Sequence, residues 1–210
     1  MKKWIVSITA FIFLSSLTAE HETKWISLFD GKSLEGWKVG NNANTFSIED
    51  GTIAVNGNVA HLFYDGSVQD HSFKNFEFRA DVKTLPGSNS GIYFHTEFQQ
   101  SSWPQKGYEA QVNNSHTDWR RTGSLYAIED VRETYAKDNE WYTEYIKVEG
   151  KNILIKINGK TVVDYTEPSN IKRPEGMKER VLSKGTFALQ GHDPKSKVYF
   201  KNIKVRVLPD

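Results

Sequence analysis

From Asn75 to Lys83 the chain reads Asn-Phe-Glu-Phe-Arg-Ala-Asp-Val-Lys, with apolar residues at every even position from 76 to 82 and charged ones between them. A repeat of two places one face against a core and the other in water only if the segment is a strand. The same logic recurs along the chain. Tyr142 to Glu149 and Ile153 to Asn158 flank Gly150-Lys151-Asn152, and Ile153, Ile155 and Ile157 share one face, which predicts a hairpin. Asn158-Gly159 predicts a second tight turn into Thr161 to Tyr165, and Glu49-Asp50-Gly51 a third between Phe46-Ser47-Ile48 and Thr52 to Val55. Thr186 to Gly191 and Lys197 to Val207 form the last strand pair. In the second of these, Val198 and Phe200 keep one parity and Ile203, Val205 and Val207 the other, so a β-bulge is expected near Lys201-Asn202. No segment has sustained helical periodicity; Arg173 to Leu182 has room for one short turn. Many short strands without helices to cover parallel connections predict an all-β sandwich of two antiparallel sheets.

The first residues stand apart. Met1-Lys2-Lys3 is basic, Trp4 to Leu17 is an apolar run too short to span a bilayer, and Thr18-Ala19 supplies small residues ahead of Glu20. This is the layout of a secretory signal peptide over 1–19, with 20–210 as one domain. The expected location is the periplasm or the medium, without membrane insertion once the signal is removed. Export favours disulfides, yet the chain has no cysteine, so packing alone must hold it. Loss of Lys2 and Lys3 takes the balance from 27 basic and 26 acidic residues to 25 and 26. With no basic block to track phosphates, nucleic acid is excluded as a partner class. Six Trp and nine Tyr are many for this length; aromatic rings fill sandwich cores and also stack on sugar faces.

Three strands carry polar residues where a solvated sheet would show Lys, Glu and Thr. In Gly107 to Asn113, Tyr108, Ala110 and Val112 share one face and Glu109, Gln111 and Asn113 the other. In Gly91 to Glu97, Ile92 and Phe94 take the core parity and Tyr93, His95 and Glu97 the opposite one. In Thr186 to His192, Phe187 and Leu189 are core-like, leaving Ala188, Gln190 and His192 opposite. If the three lie in one sheet, these faces line a shared groove. Four connections, 99–106, 114–123, 130–140 and 167–184, are too long for hairpin turns and are candidate rims of that groove.

Hydrolysis of an unactivated glycoside takes two carboxylates at a set separation. In jelly-roll glucanases they commonly stand four residues apart on one strand, but four residues after Glu109 comes the neutral Asn113. A divalent metal could draw ligands from His95, Glu97, Glu109 and His192, and a calcium site could form near Asp193, although no spaced metal motif is present. Nucleotide and serine-hydrolase signatures are missing.

A set of short motifs resembles one family. Trp25-Ile-Ser-Leu-Phe-Asp-Gly-Lys-Ser-Leu-Glu-Gly-Trp37 is similar to the opening of the 3-keto-disaccharide hydrolase domain family. So, in order, are Asn89-Ser-Gly-Ile92, Gly107-Tyr-Glu-Ala-Gln-Val112, Arg121-Thr-Gly-Ser-Leu-Tyr126, Glu140-Trp141, Asn158-Gly159 with Val163-Asp164-Tyr165, and Phe187-Ala-Leu-Gln190 running into Phe200-Lys-Asn-Ile203. The resemblance implies a concanavalin A-like jelly roll, usually exported, with the Tyr-Glu-x-Gln strand and a late His in its pocket. It departs at Gln190-Gly-His-Asp193, where many relatives read Gln-Asp-His-Gly, so the carboxylate follows the His instead of preceding it.

The activity it implies needs few carboxylates. A ketone at C3 acidifies the C2 proton, one base removes it, the C1 substituent leaves by β-elimination, and water adds back. On that reading Glu109 and His192 form the acid/base pair, while Gln111, Arg121 or a bound metal polarises the ketone. Tyr93, His95, Gln190, Asp193, Trp103 and Trp119 complete the substrate-binding set, and the partner is a small carbohydrate. The rival expectation is a non-catalytic lectin-like module that stacks sugars on Trp103, Trp119 and Tyr93 and bonds hydroxyls with Glu109 and Gln111. A conventional glycoside hydrolase and a surface domain without a sugar role are further alternatives.

Overall fold

The computed structural model describes residues 24–210, so the export segment expected over 1–19 lies outside the described residues. Thirteen strands follow one another: β1 (Ile26–Ser27), β2 (Trp37–Val39), β3 (Phe46–Glu49), β4 (Thr52–Val55), β5 (Ala60–Tyr64), β6 (Phe76–Thr84), β7 (Ser90–Thr96), β8 (Tyr108–Val112), β9 (Tyr142–Glu149), β10 (Asn152–Ile157), β11 (Lys160–Thr166), β12 (Thr186–Gly191) and β13 (Val198–Val207). Two 3-10 turns, Ala43–Thr45 and Val68–His71, are the helical elements among the described residues. None of these is long and apolar enough to cross a membrane.

The strands form the expected all-β jelly-roll sandwich. One sheet runs β11-β10-β9-β6-β13-β4-β3, with β1 added on β13, and the other runs β2-β5-β12-β7-β8; every pairing is antiparallel. The turns follow the sequence. Asp50-Gly51 and Asn158-Gly159 have positive φ at both residues, which matches the right-handed twist of the hairpins they close. The bulge expected in β13 is present: pairing with β6 skips between Lys201 and Lys204, and Asn202 sits at φ 50°.

One expectation needs correcting. β12 and β13 are not partners: β12 lies between β5 and β7 in the smaller sheet, and β13 between β6 and β4 in the larger one. Alternation reports which face of a strand meets the core, not which strand lies beside it. The crossing from one sheet to the other falls on the turn at Asp193, which lies next to the site described below.

The core fills the space between the sheets. Phe187 of β12 packs against Phe73, Phe76 and Phe78 with ring centroids 4.7, 4.9 and 4.7 Å away, tying the smaller sheet to the larger. Truncation of such a ring costs about 3–5 kcal/mol, which is how a chain without disulfides holds two sheets together. With Leu62, Ile92, Phe94, Ala110, Val112 and Leu189 all turned into this core, the opposite face of the smaller sheet is left to carry the polar residues of β5, β7, β8 and β12.

Candidate active site

The three strands that the parity argument singled out are neighbours, in the order β12-β7-β8. Tyr93 of β7 stands opposite Glu109 of β8, and Gly91 opposite Gln111, so their outward groups share one face. The middle of that face is open because Gly91 has no side chain. A Cβ there would lie 2.4 Å from Oε1 of Glu109, so the carboxylate rests directly over the β7 backbone. Gln190 reaches across from β12. Its Nε2 donates to Glu109 Oε1 at 2.8 Å and to the Tyr93 hydroxyl at 3.2 Å.

These groups line a pocket of about 300 Å³ together with Asn89, Gln111, Tyr126, Arg180 and His192. Three of the four long connections supply its rim: Trp103, Pro104 and Gln105 from the first, Asp118 from the second, and Gly176, Met177 and Arg180 from the last. The last of these is clamped to β8 from behind. Tyr108 donates its hydroxyl to Glu167 and accepts from Arg173 Nη2, and Glu167 also accepts the Leu182 amide.

Glu109 is buried, and burial is the largest influence on it, raising its pKa above the usual carboxylate value. Arg180, Tyr93, Gln190 and His192 pull the other way without cancelling that effect. Nη2 of Arg180 lies 3.9 Å from Glu109 Oε2. The same pocket lining carries an oriented imidazole. His192 Nδ1 lies 2.7 Å from Oδ2 of Asp193, which also accepts from Ser196 Oγ, while Oδ1 takes the amides of Lys195 and Ser196. Burial works against ionisation of Asp193, but the bonds from His192, Ser196 and the Lys195 amide hold it down to about 2. An ionised Asp193 keeps the ring proton of a neutral His192 on Nδ1 and leaves Nε2 as an acceptor. The residue whose altered position departs from the family pattern therefore orients the histidine from behind.

Three buried polar atoms at this pocket have no hydrogen-bond partner: Gln111 Oε1, Gln190 Oε1 and Arg180 Nη1. Gln111 and Gln190 each spend their amide nitrogen within the protein, Gln111 on Asn89 Oδ1 at 3.1 Å. Unpaired buried acceptors and donors are costly, and a bound polyhydroxylated molecule would satisfy them.

Several expected residues lie elsewhere. His95 does not face the groove: the β7–β12 register breaks beside it, its φ is 55°, and this bulge turns its ring inward. There Nε2 donates to the Lys74 carbonyl at 2.8 Å, Nδ1 accepts the Ser183 amide at 3.2 Å, and burial lowers the pKa to about 4. Arg121 is a loop staple, its Nη1 donating to Asn113 Oδ1 and to the carbonyls of His116 and Asp118. The cation at the pocket is Arg180, from a connection whose lack of periodicity hid it. Trp119 lies outside the pocket lining, its ring engaged by the guanidinium groups of Arg120 and Arg132. Asn113, standing where a glucanase would have its second carboxylate, donates to the carbonyls of Asp118 and Arg120 and so shapes the rim.

The metal set drawn from His95, Glu97, Glu109 and His192 does not assemble, because His95 is inverted and Glu97 is exposed and paired with Lys106 at 3.0 Å. His116, His192 and Asp193 instead bring ligand-type atoms within 4.8 Å of one another. In that trio Asp193 is already engaged by four donors, and His116 Nδ1 accepts the Asp118 amide.

A family model for the 3-keto-alpha-glucoside-1,2-lyase-like domain matches residues 24–206. The chain belongs to this family. A 3-keto-disaccharide hydrolase of Bacteroides thetaiotaomicron is 27% identical over 232 residues, covering 88% of this chain and 78% of that protein. Among solved structures, a candidate glycosyl hydrolase of Parabacteroides distasonis superposes with a TM-score of 0.75 at 24% identity, over 88% of this chain and 94% of the other. A carbohydrate-binding module of Bacillus subtilis shares the fold at a TM-score of 0.57 and 16% identity, over 81% and 95%.

Proposed function

We propose that this family member cleaves 3-keto-glycosides, with a 3-keto-disaccharide as substrate, through proton abstraction at C2. The observation that carries the reading is the pairing of one buried carboxyl of raised pKa with one imidazole whose tautomer is held by an ionised aspartate. A carboxyl that burial holds above the usual carboxylate value is suited to give a proton, and an imidazole whose Nδ1 is held by Asp193 presents Nε2 to take one. His192 Nε2 takes the C2 proton, and the electrons of that C–H bond pass into the enolate of the C3 ketone. The C1–O bond then breaks, with Glu109 supplying the proton to the departing oxygen. Water adds at C1, C2 is reprotonated, and the net change is hydrolysis. Arg180, with its unpartnered Nη1, and Tyr126 are placed to stabilise negative charge on the ketone oxygen. The segment read as an export signal would deliver this activity to the periplasm or the medium.

Asp118 gives a direct-displacement reading its one foothold, as a second carboxylate in the pocket lining. Its Oδ1, however, accepts both the Arg120 amide, at 2.9 Å, and Arg120 Nη1, at 3.5 Å. Turnover of a 3-keto-disaccharide in D2O separates the two. Elimination and rehydration place deuterium on C2 of the released 3-keto sugar. Cleavage that leaves C2 fully protiated, or equal cleavage of the unoxidised disaccharide, would overturn the elimination.

A further inference from the structure

A second pocket of about 220 Å³ lies on the same face, one strand further from Glu109. His61 of β5 stands opposite Gln190 of β12, so the two point to the same side of the sheet, yet His61 lines the second pocket and Gln190 the first. Trp103 marks the boundary, its ring centroid 5.6 Å from that of His61 and 5.5 Å from that of His192. One connection serves both sides: Trp103 to Gln105 line the first pocket, Gln99 to Ser102 the second. That connection is seated on the chain leaving β2. The Asn41 amide donates to the Gln100 carbonyl at 2.8 Å, and Gln100 Nε2 donates to Asn41 Oδ1 at 3.0 Å. Gly40 permits the approach, since a Cβ there would meet the Gln100 carbonyl at 2.2 Å.

The lining holds amides and hydroxyls from Asn41, Asn42, Gln99, Gln100 and Ser102, and no Asp, Glu, Lys or Arg. His61 adds no charge, because burial lowers its pKa to about 3. Its Nε2 is buried without a hydrogen-bond partner, although the residue is only 4% exposed. A neutral pocket offering both donors and acceptors, with one buried nitrogen unsatisfied, fits a neutral ligand rich in hydroxyls. Charged ligands would find no counter-ion there.

We infer that this pocket is the subsite for the leaving-group sugar: the keto sugar sits beside Glu109 and His192, the second ring beyond Trp103, with a hydroxyl on His61 Nε2. The inference rests on the glycoside-cleaving reading above, and it makes the enzyme selective for disaccharides over glycosides of small alcohols.

The test is His61→Phe, which keeps an aromatic ring against Tyr93 and Trp103 but removes both nitrogens, with Gln100→Leu as an independent second variant. The expected result is a fall of about tenfold in the ratio of kcat/KM for a 3-keto-disaccharide to that for methyl 3-keto-glucoside, the size expected for one lost hydrogen bond. An unchanged ratio in both variants overturns the subsite. Free glucose, used as a probe for a neutral leaving sugar, supplies a readout that needs no catalysis. It should shift the NMR signals of the Trp103 indole and the Gln99 side-chain amide in the wild type, and less so in His61→Phe. If neither keto substrate is cleaved, the catalytic reading fails, and the glucose titration decides the subsite alone: shifts weakened by His61→Phe support it, and no shift overturns it.

Discussion

Glu109 and Glu144 are two buried carboxyls in the same sandwich with opposite surroundings. Glu109 points out of the smaller sheet into a pocket, where it meets an amide and a guanidinium and shares the lining with an oriented imidazole. Glu144 of β9 points into the core, beside Ala80 and Ile157 on the flanking strands, and neither of its oxygens has a hydrogen-bond partner. Burial raises the pKa of both, but only for Glu109 do neighbours oppose it. Burial alone marks only a strained acid. A chemically useful one also needs partners that can trade a proton or a charge with it.

The largest expected effect breaks the comparison at the pocket. Glu109→Gln keeps the shape and the contact with Gln190 but removes the proton donor, so kcat on a 3-keto-disaccharide should fall about a thousandfold. Thermal melting should barely move. Wild-type turnover in this variant would remove Glu109 from the chemistry, and a collapse of the melting temperature would make it structural.

A subtler break leaves the carboxyl in place and moves it. Gly91→Ala puts a methyl 2.4 Å from where Oε1 now lies, on a strand buried along its whole length. The Glu109 side chain must swing away from Gln190, and misplacement on that scale should cost about tenfold to a hundredfold in kcat. Binding of the substrate should be hit less than turnover. If Gly91→Ala behaves as wild type, Glu109 is not held to its position by the backbone beneath it.

How far the sequence reached follows from what strand periodicity can carry. Glu109, Gln111, Gln190 and Tyr93 were legible because they sit on regular strands, where parity alone assigns the face. His95 was misplaced on that same rule, since one left-handed residue inverts parity and nothing in Phe-His-Thr announces a bulge. His192, just past β12, keeps its register and lines the pocket, whereas Asp193, expected to bind substrate, lies behind it on His192 Nδ1. Arg180 sits in a connection with no period to read, so the cation was assigned to Arg121, which instead ties the 113–121 loop together. Tyr126 and Asn89 were present in the family motifs but had no chemical reason to be chosen until the fold brought them to the pocket. The pairing of β12 and β13 failed for a related reason: adjacency in sequence is only a default for adjacency in a sheet.

The smallest effect sharpens the other half of the comparison. If Glu144 is a neutral acid with nothing to bond, replacing it by an apolar residue of similar size should stabilise the fold. Glu144→Leu is expected to gain about 1–2 kcal/mol near neutral pH. In a domain of this length that is about 2–4 °C in Tm per kcal/mol. Turnover should not change. The sign with pH is fixed by linkage: below about pH 4.5 the carboxyl is protonated in both folded and unfolded chains, so it adds no pH dependence. As pH rises above that value the unfolded chain releases the proton while the folded one keeps it, and the wild type loses stability until the raised folded pKa is passed. The gap in Tm between Glu144→Leu and wild type should therefore widen from about pH 4.5 upward and then level off. A gap that stays constant across the range would mean that Glu144 titrates alike in both states. The contrast with Glu109 would then lie in partners alone and not in proton affinity.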